Sequence, residues 1–280
     1  MSKRALCMGI NNYPGTHMDL HGCVNDANDW AAELAGRGFA VSKLIDSQAT
    51  KAAMVSAIQS LIGSAVSGDV VVITYSGHGT YVPDTNGDEI DGLDEALCPY
   101  DLQTGGGALV DDEINTLFSA RKAGVRLLLI SDSCHSGTVT RAAAADPDAD
   151  NAPAPRFMPM GNWLPAEKLP QGISGQPLTT VPVISGVSPF VGALSRMMGD
   201  LLLAGCKEGP NNFSYDASIA GRPCGAFTYY ALKALRRLPA NATYAQWHAA
   251  ITPGSLPSAS YPQTPQIYGS QDARNRQIFS

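Results

Sequence analysis

A chain of 280 residues is long enough for one sizeable core, or for two small ones. Its 44% hydrophobic and 16% charged residues suit a globular protein and argue against disorder. The net charge of −6, with no Lys/Arg stripe, argues against nucleic acid as a partner. No apolar run reaches the roughly eighteen residues that span a bilayer, so no membrane partner is expected. The basic start before Ala5 leads into a short apolar stretch without a small-residue cleavage site, which reads as a first strand rather than a signal peptide. The cysteines Cys7, Cys23, Cys98, Cys134, Cys206 and Cys224 are scattered, with no CxxC pair and no zinc spacing. Most are expected to be buried thiols in a reducing cytoplasm.

The predicted elements alternate strand and helix. Arg4 to Ile10 is an apolar strand ending in the turn-rich Asn11-Asn12-Tyr13-Pro14-Gly15. Asp26 to Leu34 has helical spacing and stops at Gly36, and Phe39 to Ile45 is a second strand. Thr50 to Val66 is a helix with Met54, Val55, Ile58, Leu61 and Ile62 on one face and Thr50 as N-cap. Asp69 to Tyr75 is a continuous β-branched run, as expected of a parallel strand covered on both faces. A helix opens at Asp111 or Asp112 and runs through Phe118, and Val125 to Ser131 is a fourth strand. This rhythm predicts a mostly parallel sheet with right-handed crossovers. It breaks near Arg141, and Ala142 to Ser188 holds Ala, Pro, Gly and Asp with little periodicity, so that segment is expected to be functional or disordered. Asp200 to Cys206 is a fifth strand, 226–238 and 244–251 are helices, and a last strand lies near Gln266 to Tyr268.

Two strands end in short polar loops rich in glycine, Tyr75-Ser76-Gly77-His78-Gly79 and Ser131-Asp132-Ser133-Cys134-His135-Ser136-Gly137. In open parallel sheets the loops at the carboxyl ends of strands present side chains to ligands, so a Cys and a His there can face one another. Cysteine attacks as a thiolate, and a neighbouring imidazole supplies the base. A single His beside glycines is more often a turn residue than a catalyst. Two such loops holding the pair that one chemistry needs reverse those odds. His78 and Cys134 are therefore the candidate catalytic pair, with N–H groups near Gly79 and Cys134 as an oxyanion hole. The side chain of His135 is expected to point elsewhere.

YSGHG at 75–79 and DSCHSG at 132–137 resemble the dyad motifs of metacaspases, the caspase-like cysteine peptidases of clan CD. Leu20 to Ala27, Asp94 to Asp101, Val110 to Ile114 and Gly225 to Thr228 are also similar to family segments. The resemblance covers most of 4–141 and returns at about 200–268. It implies a caspase-like three-layer α/β sandwich with a mostly parallel six-stranded sheet. One domain, 1–280, would hold a large-subunit-like part at 1–141, a linker or activation loop at 142–188, and a small-subunit-like part at 189–280.

The resemblance also implies an S1 pocket lined by Cys23, Asp26, Ser76 and Asp132, with the two carboxylates gripping a P1 Arg or Lys. On its position alone, Asp26 is also a fair helix cap. The acidic stretch from Asp84 to Glu95 is not an EF-hand, because Glu89 stands where that loop needs glycine. Many metacaspases use calcium as an activator, through aspartates matching Asp94, Asp111 and Asp112. The fourth family ligand has no acidic match in Thr138 to Arg141, and a solvated acidic loop is the competing reading. No cofactor is required for the chemistry.

Arg156 and Lys168 lie in the linker as candidate processing sites, cut by the protein itself or by an upstream protease. The expected function is a regulated cysteine endopeptidase acting on proteins or peptides with P1 Arg or Lys. A prokaryotic origin and a role in cell death or defence are the family-level expectation. The alternatives are an inactive caspase-like interaction module and a flavodoxin-like or nucleotide-binding domain; the last lacks a phosphate-cradling glycine motif after its first strand.

Overall fold

The computed structural model describes residues 1–84, 93–134, 152–169, 201–207 and 212–280. Strand β1 (Lys3–Gly9), helix α1 (Cys23–Gly36), strand β2 (Ala40–Ile45), helix α2 (Lys51–Gly63) and strand β3 (Val70–Ser76) follow in chain order. A small antiparallel sheet comes next, from β4 (Gly79–Pro83), β5 (Leu93–Leu97) and β6 (Leu109–Val110). Helix α3 (Asp111–Ser119) and strand β7 (Arg126–Asp132) return the chain to the main sheet. A second small sheet joins β8 (Ala154–Pro155) to β10 (Tyr215–Ile219) and β11 (Arg222–Gly225), while β9 (Leu201–Ala204) extends the main sheet. Helices α4 (Ala226–Leu235) and α5 (Tyr244–Ile251) precede β12 (Gln266–Tyr268).

The main sheet runs β12-β9-β7-β3-β1-β2. Every neighbouring pair is parallel except β12 with β9. This is the six-stranded caspase-like α/β sandwich that the sequence implies. Strand alternation sends side chains to two cores. Leu6, Met8, Val71, Ile73, Leu127 and Leu129 pack with Met54, Ile58 and Ile62 of α2 and Ile114 and Phe118 of α3. Ala5, Cys7, Val70, Val72, Leu128 and Ile130 pack on the other face, with Trp30 of α1, Phe227 of α4 and Trp247 of α5. Thr50 caps α2 as expected, its side chain accepting from the Ala53 N–H.

Three expectations differ from the structure. Helix α1 starts at Cys23, not Asp26, because the Asp216 carboxylate accepts from the His21 and Gly22 N–H groups just ahead of it. That tertiary partner does the work of a local cap, and Asp26 lies inside the first turn. Neither small sheet follows from the alternation pattern. The turn between β10 and β11 holds Ala220 and Gly221 both at positive φ, 55° and 76°, and the Ala in that pair hides a hairpin that Asn-Gly would have announced. The segment expected as an unpatterned loop over 142–188 is packed where it is described: Phe157, Met158, Met160 and Trp163 are buried. Its spacing has no period because these residues fill gaps between elements rather than one face of a helix or strand. Of the earlier assignments, 85–92, His135, Thr138 to Arg141 and the rest of that loop lie outside the described residues.

Candidate active site

Strands β3 and β7 are parallel neighbours, and their last paired residues are Ser76 and Asp132. His78 and Cys134 each stand two residues beyond that pair, so the sheet register itself sets the two loops side by side. Both residues are fully buried, at 1% and 0% exposure. His78 Nε2 lies 2.7 Å from the Met18 carbonyl oxygen. A carbonyl only accepts, so Nε2 carries the ring proton and Nδ1 keeps its lone pair. Nδ1 is buried and has no hydrogen-bond partner among the described residues. The Tyr13 ring packs 4.9 Å from the imidazole, and its hydroxyl accepts from the His78 N–H at 2.8 Å. Burial, opposed by the Met18 carbonyl, pushes the His78 pKa down to about 4, so the ring is neutral near pH 7. Cys134 Sγ is 3.6 Å from the Asn212 carbonyl, and Cys206 Sγ is 3.7 Å from the Ser133 carbonyl.

A segment of the same chain fills the cleft. The Arg156 carbonyl accepts from the Gly79 N–H at 3.0 Å and from the Cys134 N–H at 3.1 Å. These are the two donors expected to form an oxyanion hole. The Arg156 N–H donates to the Ser214 carbonyl at 2.8 Å, and β8 pairs antiparallel with β10, Pro155 opposite Tyr215 and Ala154 opposite Asp216. On the far side, the Met158 N–H donates to the Gly79 carbonyl at 2.8 Å. An extended segment hydrogen-bonded on both sides of one carbonyl, with that carbonyl held by two N–H groups beside a cysteine, has the posture of a peptide bound for acyl transfer.

The Arg156 side chain is 0% exposed and ends among three carboxylates. Its Nη2 is 2.7 Å from Asp26 Oδ2 and 2.9 Å from Asp216 Oδ1, and its Nη1 is 3.1 Å from Asp132 Oδ2 and 3.2 Å from the Asp132 carbonyl. Among the described residues Nε has no hydrogen-bond partner, and the guanidinium is held by its two terminal nitrogens. Burial alone would lower its pKa, but Asp132, Cys23, Asp26 and Asp216 outweigh that and leave it raised. Burial pushes Asp26 up to about 7, with the guanidinium pulling against it and Asp132 adding to it. Asp132 is pinned by the Thr228 N–H and hydroxyl at the start of α4, at 3.0 and 2.7 Å, and by a short bond from the Ser214 hydroxyl. The Gly225 N–H donates to Asp26 at 2.9 Å. A Cβ on Gly225 would run into Asp132, Arg156 and Asp26, so only glycine closes this wall.

Of the residues expected in the S1 pocket, Asp26 and Asp132 hold the cation directly. Cys23 is buried beside it, close enough for the surrounding charges to act on a thiol already raised by burial. Ser76 is buried at the register position opposite Asp132. Asp216, Ser214, Gly225 and the Met18 carbonyl escaped the sequence analysis. The available signal was an acid in the short segment just ahead of Gly225 to Thr228. Arg156 is the candidate processing site that enters the cleft, whereas Lys168 is exposed on a single helical turn, Ala166–Lys168.

The residues expected to bind calcium lie apart from this cleft. Asp94 sits on β5, and Asp111 and Asp112 open α3. Burial, then Asp112 and Asp94, raise Asp111 to about 7, and among the described residues its buried Oδ1 has no hydrogen-bond partner. Such a lone pair fits a cation. Among the described residues, however, no group of three His, Cys, Asp or Glu side chains could hold a metal ion. No helix among them is long and apolar enough to cross a membrane.

Residues 3–143 match the family described as metacaspase, peptidase C14 domain. Metacaspase-1 of Cryptococcus neoformans is 31% identical over 299 aligned residues, which cover 99% of this chain and 64% of that protein. The chain thus spans less than two thirds of that relative's length. Metacaspase-1 of Mycosarcoma maydis is 30% identical over 96% of this chain and 70% of its own length. The crystal structure of protein GSU0716 from Geobacter sulfurreducens superposes with a TM-score of 0.70 at 28% identity, covering 100% of this chain and 99% of that one. With half of its length matched to the family and 96% of it aligned to a relative 30% identical to it and covered to 70%, the chain belongs to the metacaspases of peptidase family C14.

Proposed function

We propose that this chain is a cysteine endopeptidase that cuts after arginine, and that the Arg156–Phe157 bond is its first substrate. One observation carries the reading: the Arg156 carbonyl sits between the Gly79 and Cys134 N–H groups while its guanidinium is buried among Asp26, Asp132 and Asp216. In the reaction, the Cys134 sulfur attacks the Arg156 carbonyl carbon and its proton passes to Nδ1 of His78. Nε2 cannot take it, being committed to the Met18 carbonyl. The Gly79 and Cys134 N–H groups carry the oxyanion. The intermediate collapses to a thioester as the Phe157 nitrogen leaves with the proton from His78, and water then releases the Arg156 carboxylate. Arginine is preferred to lysine, because two separate nitrogens meet carboxylates on different elements and a single ammonium reaches fewer of them.

Until that segment leaves, it excludes other substrates, which makes the chain a regulated zymogen. Self-cleavage or an upstream protease would release it. Calcium as an activator would draw on Asp94, Asp111 and Asp112, which among the described residues do not by themselves form a group that could hold a metal ion. A reducing cytoplasm suits six free thiols, and a prokaryotic role in cell death or defence fits the family. An inactive interaction module is the weaker reading, since both members of the dyad are present.

The test is mass analysis of the intact protein incubated with calcium, beside Cys134→Ala. The expected products end at Arg156 and begin at Phe157, and the variant forms them at least about a thousandfold more slowly. An unvarying parent chain that also leaves arginyl peptide amides intact would sink the reading.

A further inference from the structure

The two sides of the bound segment are held differently. On the acyl side, Ala154 and Pro155 are half-buried and pair mainly through main-chain contacts with β10. On the leaving side, Phe157 is 1% exposed and Met158 0%. The Phe157 ring lies 5.5 Å from the Tyr81 ring at an interplanar angle of 34°, an offset contact between aromatic faces. Tyr81, Leu93 and Phe213 form one apolar cluster with Phe157 and Cys134 itself. The main chain fixes this register, because Gly79 bridges Phe157 in a parallel sense while its N–H holds the Arg156 carbonyl. A residue that follows the scissile arginine therefore enters an apolar chamber beside the nucleophile. A carboxylate there would be desolvated against Tyr81, Leu93 and Phe213, with buried Glu95 paired across the sheet from Tyr81.

We propose that the primed side of this cleft selects a large apolar residue, aromatic above all, directly after the scissile arginine, with the Tyr81 ring as the specificity-determining side chain. The inference rests on the reading of 154–158 as a bound substrate strand, and it extends that reading from the arginine to the residue after it. Substrates would be loops in which Arg precedes Phe, Tyr, Leu or Met. Arg followed by Asp would be passed over even where the arginine is exposed.

The experiment uses the full chain with calcium and three probes. Two are internally quenched peptides carrying Pro-Arg-Phe-Met or Pro-Arg-Asp-Met, and the third is a Pro-Arg coumarinylamide with no residue on the leaving side. The Phe peptide is expected to exceed the Asp peptide in kcat/KM by about tenfold or more, the discrimination one apolar pocket supplies. Tyr81→Ala should collapse that ratio toward one, and Tyr81→Phe, which keeps the ring, should restore it. Turnover of the coumarinylamide with equal rates on the two peptides would overturn the primed-side inference alone. No turnover of any probe would overturn the peptidase reading and this inference with it. A ratio that survives in Tyr81→Ala would remove Tyr81 from the role.

Discussion

Two knots of carboxylates lie in this molecule, Asp26, Asp132 and Asp216 at the cleft and Asp94, Asp111 and Asp112 where β5 meets α3. Asp26 in the first and Asp111 in the second are both raised to about 7, with burial the largest cause in each. Their counter-charges differ. The first knot encloses the guanidinium of its own chain, while Asp111 has backbone N–H groups pulling against its burial. A buried acid cluster costs free energy unless a cation or a proton neutralises it. On the proposed function, a substrate arginine replaces the internal one in the first knot, and the second is the place where calcium binding is tested.

The widest expected difference comes from removing the internal cation. In a Cys134→Ala background, which keeps the segment uncut, Arg156→Ala should cost about 3–5 kcal/mol of stability by leaving charges buried and unpaired. Chemical denaturation measures it. The loss should grow as pH rises past 7, because without the guanidinium Asp26 must ionise unaided, whereas below 7 it stays protonated. A loss independent of pH would break the exchange picture.

For the second knot, calcium at a hundred times its dissociation constant should raise stability by about 2.7 kcal/mol. That is about 5–10 °C in Tm for a chain of this size, and Asp111→Asn should erase the shift. An unchanged Tm in saturating calcium would leave the solvated acidic loop as the better account.

A further effect is that of Asp111→Asn without calcium. The folded pKa of Asp111 is raised, so the folded state holds more protons than the unfolded between about 4 and 7, and stability falls as pH rises through that window. The substitution should flatten that slope and raise Tm at pH 8 relative to the parent, with little difference at pH 4. A variant whose Tm curve runs parallel to the parent's would show that Asp111 does not titrate in the window.

The parallel sheet was legible from DVVVITY and VRLLLIS because continuous apolar strands need cover on both faces. The candidate pair His78 and Cys134 was legible because one chemistry needs both loops, and the sheet register sets those loops side by side. Asp216 was not, since nothing local ties residue 216 to Asp26, 190 positions earlier in the chain. The small sheets were missed because their strands are short and their turns atypical. The packed part of the linker was missed because Phe157, Met158 and Met160 fill a cleft that exists only once other elements have assembled.

What the amino-acid sequence determined by itself was pattern and chemistry: strands as continuous apolar runs, helices by their spacing with the Thr50 cap, and two loops whose residue types suit acyl transfer. Tertiary structure alone decided which charges would meet. Arg156 and Lys168 are equivalent as letters in a loop, yet one is buried among three carboxylates and the other stands in solvent. Ion pairs between distant segments form only after the backbone has closed around them, because their attraction is weak in water and strong only where water has been excluded.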